Sequence, residues 1–195
     1  LLPSERAEFF RSVVAVVTFT SNFFFWFQTG YFDHAAVEKP LLHTWSLAVE
    51  EQFYLALRSL LWETARLAGL RRAAIPVLLA VLTAASFAFS VWLMRHEGSA
   101  SAFFMSPPRA WEFLVGSLIA MQGFPVLRSG LARNCARGAS LVLLATPIFA
   151  LRQGPGFPGV NALAPCLGAA LFIWSGIGVP TRSRWLRRMR RSATA

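Results

Sequence analysis

Between Ala73 and Met94 the chain reads AAIPVLLAVLTAASFAFSVWLM, 22 residues without one Asp, Glu, Lys or Arg, closed off by Arg72 before and Arg95 after. A helix needs about 20 largely apolar residues to cross the hydrocarbon core of a bilayer. A second charge-free stretch, Val160 to Val179, meets the same requirement. Four weaker candidates flank them: Ser12 to Thr29, Leu41 to Trp62, Arg109 to about Leu127, and Gly138 to Leu151, the last interrupted by Pro147. Alternation with period two is not sustained anywhere, so strands are not expected. No internal repeat or low-complexity linker divides the chain. The expectation is an all-α integral membrane helix bundle of about six transmembrane helices.

Composition agrees. Of the 195 residues 55% are apolar and 14% charged, against about 25% charged in an average soluble domain, and mean hydropathy is +0.50. That hydrophobicity argues against disorder, and two cysteines cannot make a disulfide scaffold. Cys135 lies between candidate spans and Cys166 within one, so they are not expected to pair. The net charge of +10 suggests a nucleic-acid binder only until the charges are located. Fifteen Lys and Arg fall at the N-terminus (Arg6, Arg11), in two loops (Arg58 to Arg72, Arg128 to Arg137) and in the tail (Arg182 to Arg191). Four, Lys39, Arg95, Arg109 and Arg152, fall on the alternate side. Basic loops stay cytoplasmic, so the loops around Asp33, His96 and Gly156 are expected outside. Arginines dispersed in this way are topological anchors near anionic headgroups, and no nucleic-acid partner is expected.

The chemistry-bearing residues lie where a membrane should exclude them. In Leu41 to Leu55, LLHTWSLAVEEQFYL, a helix at about 100° per residue puts His43, Ser46, Leu47, Glu50 and Tyr54 on one stripe and Trp45, Val49 and Phe53 on the other. An acidic side chain at mid-membrane costs at least about 2.5 kcal/mol. Glu50 and Glu51 should therefore face an interior, a partner or water, and they are functional candidates. His43 could serve as general base or hydrogen-bond donor, with Glu50 orienting a cation or imidazole. Ser46 completes an apparent His, Ser, Glu set, but all three come from one helix and no Gly-x-Ser-x-Gly elbow occurs. The bland reading has Glu50 and Glu51 neutralising arginines such as Arg109.

A second cluster is Ser106-Pro107-Pro108-Arg109-Ala110-Trp111-Glu112. Ser106 suits an N-cap, a proline the first turn, and Arg109 and Glu112 can pair three residues apart. Trp111 fits an aromatic belt as well as a binding role. Gly116 and Ala120, four apart, suggest close helix packing. Three His and two Cys, widely separated, give no metal spacing, and there is no phosphate-binding glycine loop or dinucleotide fingerprint. No metal or bound cofactor is expected.

The segment Pro40 to Leu55, PLLHTWSLAVEEQFYL, resembles the signature of the membrane acyltransferase 3 family of bacterial sugar O-acyltransferases. Ser21-Asn22-Phe23 with Gly30-Tyr31-Phe32-Asp33, Arg109-Ala110-Trp111-Glu112, and Gly159 to Gly168 are similar to further family blocks in the same order. The resemblance covers most of residues 1 to about 180. It implies transfer of an acyl group, acetyl above all, from a cytoplasmic acyl-CoA to a cell-envelope or exported carbohydrate, by a multi-pass protein of the bacterial inner membrane. Its partners are then the lipid bilayer, acyl-CoA and a carbohydrate acceptor. On that basis His43, Glu50 and Glu51 are the catalytic candidates, and Trp45, Ser46, Tyr54, Arg109, Trp111 and Glu112 the substrate-binding ones. Residues 1–181 form a partial acyltransferase domain and 182–195 a basic cytoplasmic tail.

The departures are informative. The chain opens at Leu1 without a Met, and nothing supplies the family's early helix with its Arg and His. The late Ser-Tyr…His helix is replaced by Arg182 to Arg188, and Arg58 stands where a proline is common. The expectation is a fragment that is inactive alone. The alternatives from other classes are a noncatalytic membrane anchor and a transporter-like protein using the same carboxylates as an ion path.

Overall fold

The computed structural model describes residues 3–29, 40–66, 74–121, 124–150 and 159–177, most of them helical, with no strand among them. In chain order the helices are α1 (Pro3–Val17), α2 (Ser21–Thr29), α3 (Trp45–Arg66), α4 (Ala74–His96), α5 (Ser99–Phe104), α6 (Ala110–Ala120), α7 (Gly130–Ala150) and α8 (Leu163–Gly176). Single 3₁₀ turns, Leu42–Thr44 and Val160–Ala162, lead into α3 and α8. The expected outward loops at Asp33 and Gly156, the arginines from Arg182 to Arg191 and the tail at 182–195 lie outside the described residues.

Residues 74–94 of the apolar stretch lie in α4, and among the described residues α4 is the one helix long and apolar enough to cross a membrane. Only 17% of its most apolar window is buried, so its hydrocarbon surface points outward. Residues 160–176 and α6 are apolar but shorter.

Three expected boundaries change. The single span expected from Ser12 to Thr29 is two helices, α1 and α2, broken at residues 18–20. Phe19 N–H donates to Val16 O (3.1 Å) and Thr20 N–H to Ala15 O (2.8 Å), with Phe19 left-handed at φ +54°. This is a Schellman terminus with phenylalanine where glycine is usual. Hydropathy does not register it, because the break is made by backbone geometry. The helix expected to run to about Leu127 ends at Ala120, and Pro125, which disfavours helix in the residue before it, follows closely. Conversely, α7 starts earlier, at Gly130, and continues through Pro147 to Ala150.

The core is assembled from α3, α4 and α6, where Phe53, Leu79 and Leu114 meet, surrounded by Leu57, Ile75, Leu82 and Phe113. The Phe53 and Phe113 rings stack at 4.9 Å. A second unit is the close pair of α7 and α8, joined to α6. Its closest point is Gly168: a methyl there would stand 3.0 Å from Leu143 Cβ and Leu144 Cγ and 3.1 Å from Ser140 O. The close-packing role expected of Gly116 and Ala120 therefore moves. Both are exposed, and a methyl on Gly116 would meet nothing within 4 Å.

Candidate functional site

The site grows from the five residues between α5 and α6. Phe104 closes α5, Met105 is extended, and residues 106–109 turn, with Arg109 N–H donating to Ser106 O at 3.1 Å. Ser106 is not the cap expected of it. Its hydroxyl bonds Gln52 Oε1, and Arg109 occupies the N-cap position without a side-chain cap bond. The first amides of a helix lack intrahelical acceptors. Here Ser86 of α4 supplies one: its Oγ accepts from Trp111 N–H (2.9 Å) and donates to Pro107 O (2.6 Å). One hydroxyl thus ties the start of α6 to α4.

That turn places Arg109 between its own helix and the start of α3. Its Nη2 donates to Glu112 Oε2 at 2.8 Å and its Nε to Oε1 at 3.3 Å, a two-point pairing with both side chains less than one-fifth exposed. The guanidinium carbon stands 5.0 Å from the Trp45 ring centroid and 5.8 Å from that of Phe103. Trp45 packs on Phe103 (4.4 Å) and meets Phe104 edge-on (5.4 Å). A planar cation over aromatic faces gains about 0.5–2 kcal/mol, more as water is excluded. Of the candidate residues, Trp45, Arg109 and Glu112 are brought together. The pairing expected between Arg109 and Glu112 is present.

The other candidates fall into three places. Trp111 is 2% exposed, with its ring edge-on to Phe87 at 5.1 Å, and so belongs to the packing between α4 and α6. His43 sits exposed in the 3₁₀ turn, and Ser46 Oγ donates to His43 O at 3.2 Å. Glu50 is half-buried, while Glu51 and Tyr54 are exposed. The division of α3 into two faces is seen in part: Val49 and Phe53 are buried, as is Ala48, and Leu47 and Tyr54 are exposed, but Trp45, Ser46 and Glu50 are all half-buried and His43 precedes the helix. The bland pairing of Glu50 or Glu51 with Arg109 is replaced, because Arg109 is taken by Glu112 on its own helix. Among the described residues no cluster of His, Cys, Asp and Glu could hold a metal. Both cysteines are free.

Sequence reasoning missed the polar hub beneath this corner. Gln52 Nε2 donates to Phe19 O (2.7 Å) and Asn22 Oδ1 (2.9 Å), and Asn22 Nδ2 donates to Phe104 O (3.1 Å). Asn22 is fully buried, as is Ser21, whose hydroxyl bonds Thr44 O (3.1 Å). The signal was available: Trp45, Ala48, Val49, Gln52 and Phe53 follow the i, i+3, i+4, i+7, i+8 spacing of one helix face. A glutamine on a buried stripe needs partners. A separate cavity of about 400 Å³ lies between α3, α4 and the start of α6, lined by Leu57, Leu60, Leu82, Phe89 and Pro107 among others.

The fold and this corner define an all-helical protein whose polar site sits among outward-facing apolar helices. The chain is 31% identical over 170 residues to an uncharacterized protein of Haemophilus influenzae, a match taking in 84% of this chain and 69% of that protein. It belongs to that protein's family. It is also 31% identical over 174 residues to a protein of Komagataeibacter xylinus named as membrane-bound transacylase BcsY. A 46-residue stretch is 48% identical to the O-acetyltransferase OatA of Staphylococcus aureus. These two names make the Komagataeibacter and Staphylococcus relatives acyltransferase-like. The chain spans 43% of the length of BcsY and 8% of OatA. No family model matches it, and no solved structure does.

Proposed function

We propose that this protein works as an integral-membrane O-acyltransferase, moving an acyl group, acetyl in the first instance, from acyl-CoA to a cell-envelope or exported carbohydrate. The observation that carries the reading is the Arg109–Glu112 pair seated on Trp45 at the head of α3, the helix that also bears Glu50 and Glu51. The transacylase and O-acetyltransferase names among the relatives support it.

In the reaction the sugar hydroxyl oxygen attacks the thioester carbonyl, the carbon–sulfur bond breaks, and the hydroxyl proton leaves with the coenzyme A thiol. Holding the two reactants in register is a large part of such catalysis. Trp45 offers an aromatic face and the Arg109–Glu112 pair directional donors and acceptors, the mixture that binding sites use to fix orientation. Glu50 and Glu51 orient charge or substrate along α3, and His43 has a supporting hydrogen-bonding role. Ser46 and Tyr54 extend this face toward the carbohydrate. The protein spans the inner membrane about six times, with its basic loops cytoplasmic. The stretch of α4 that is charge-free up to Arg95 and the arginine distribution support that arrangement.

Native membranes from cells that express the protein from its own gene, supplied with radiolabelled acetyl-CoA and cell-envelope carbohydrate, are expected to transfer label, and the same membranes with Arg109→Ala introduced into that gene to transfer less. Transfer no greater than in heat-killed membranes would overturn the reading.

A further inference from the structure

We propose that Gln52 is the positioning residue of the Arg109 site, its side-chain amide setting where the Arg109–Glu112 pair stands relative to the Trp45–Phe103 rings. A primary amide has two donor hydrogens and one acceptor oxygen, and here all are committed. Phe19 O can only accept, so it must face Nε2; the second hydrogen goes to Asn22 Oδ1, and Oε1 receives the Ser106 hydroxyl. The orientation of the amide is therefore dictated by its partners.

These bonds hold the α5 end of the connection to α6 on either side of Met105. Asn22, itself held by Gln52, donates to Phe104 O before it, and Ser106 bonds Gln52 after it. Phe103 and Phe104 carry the rings on which Trp45 and Arg109 rest, and Arg109 closes the turn that Ser106 opens. Gln52 touches neither Arg109 nor Glu112 in this arrangement of bonds. It acts through the backbone that carries them. The third anchor is the carbonyl of Phe19, a non-glycine residue at φ +54°, a conformation retained where surrounding contacts over-determine it.

The test uses the protein in its native membranes and reads the reaction of arginines with phenylglyoxal by mass spectrometry, with exposed Arg95 at the end of α4 as the internal reference. In Gln52→Leu the labelling of Arg109 relative to Arg95 is expected to rise severalfold. Ser106→Ala, which removes one bond and leaves the core intact, is expected to raise it in the same direction, and Ser106→Thr to restore the native ratio. The double variant should fall short of the sum of the single effects, because the residues share one network. An unchanged ratio in both Gln52→Leu and Ser106→Ala, or Arg95 rising in step with Arg109, would overturn the proposal. A kinetic arm rests on the acyltransferase reading: KM for the carbohydrate should rise more than kcat falls. If even the unaltered protein transfers nothing, that reading fails, while the labelling ratio still decides the role of Gln52.

Discussion

The Arg109 guanidinium lies 5.0 Å from the Trp45 ring centroid, joining residues 64 positions apart at the head of α3 and the start of α6. The same guanidinium is held from the side by Glu112. A flat cation can use its edge and its face at once, and lysine cannot. Arg109→Lys is therefore expected to keep the charge yet lose much of the function. Acyl transfer should fall while the amount of inserted protein stays near normal, measured as activity per inserted molecule. Native activity in the lysine variant would show that charge alone suffices.

Glu50 is half-buried on a helix whose neighbouring Glu51 is exposed, and neither takes part in the Arg109–Glu112 pair. Glu50→Gln preserves shape and removes charge. Normal insertion with clearly reduced acyl transfer is the expected outcome, read from membrane fractions assayed side by side. Full transfer in that variant would exclude an essential charged role.

Gly168 and Gly116 make a matched pair of tests. A Cβ at Gly168 falls 3.1 Å from backbone oxygen Ser140 O, which cannot swing aside, whereas the space at Gly116 is open. Overpacking typically costs about 1–3 kcal/mol, and glycine to alanine in an exposed helix gains up to about 1 kcal/mol. Thermal unfolding in detergent should show a lower midpoint for Gly168→Ala and an equal or higher one for Gly116→Ala.

Phe19 occupies the left-handed position that glycine usually fills at a helix end, and the residue is 45% exposed. Replacing it with glycine removes the steric penalty of roughly 1–2 kcal/mol, partly offset by the greater freedom of the unfolded chain. A small rise in the unfolding midpoint of Phe19→Gly is expected. A fall of several degrees would mean that the exposed ring contributes more than the backbone strain removes.

Cys135 is free, exposed and near the start of α7, beside Arg133 and Arg137. If the basic segments are cytoplasmic, an impermeant maleimide should leave it unlabelled in intact cells and label it after permeabilisation. Labelling from outside would reverse the orientation.

The sequence by itself determined the all-helical character, the long apolar helix α4, the two faces of α3 in part and the Arg109–Glu112 pair, because each depends on residues a few turns apart on one helix. Only tertiary structure decided what Ser106, Ser86 and Gln52 do. Their partners lie 54, 21 to 25 and 30 to 54 residues away, and a hydroxyl or amide satisfies whichever backbone or side chain the fold brings within reach. The same holds for the glycine that sets helix contact. Small residues permit close approach at Gly116 and at Gly168 alike, and only the placement of α7 against α8 made Gly168 the one that is used. The break at Phe19 belongs to this second class too, since an apolar residue enters the left-handed conformation where the Gln52 amide waits for its carbonyl.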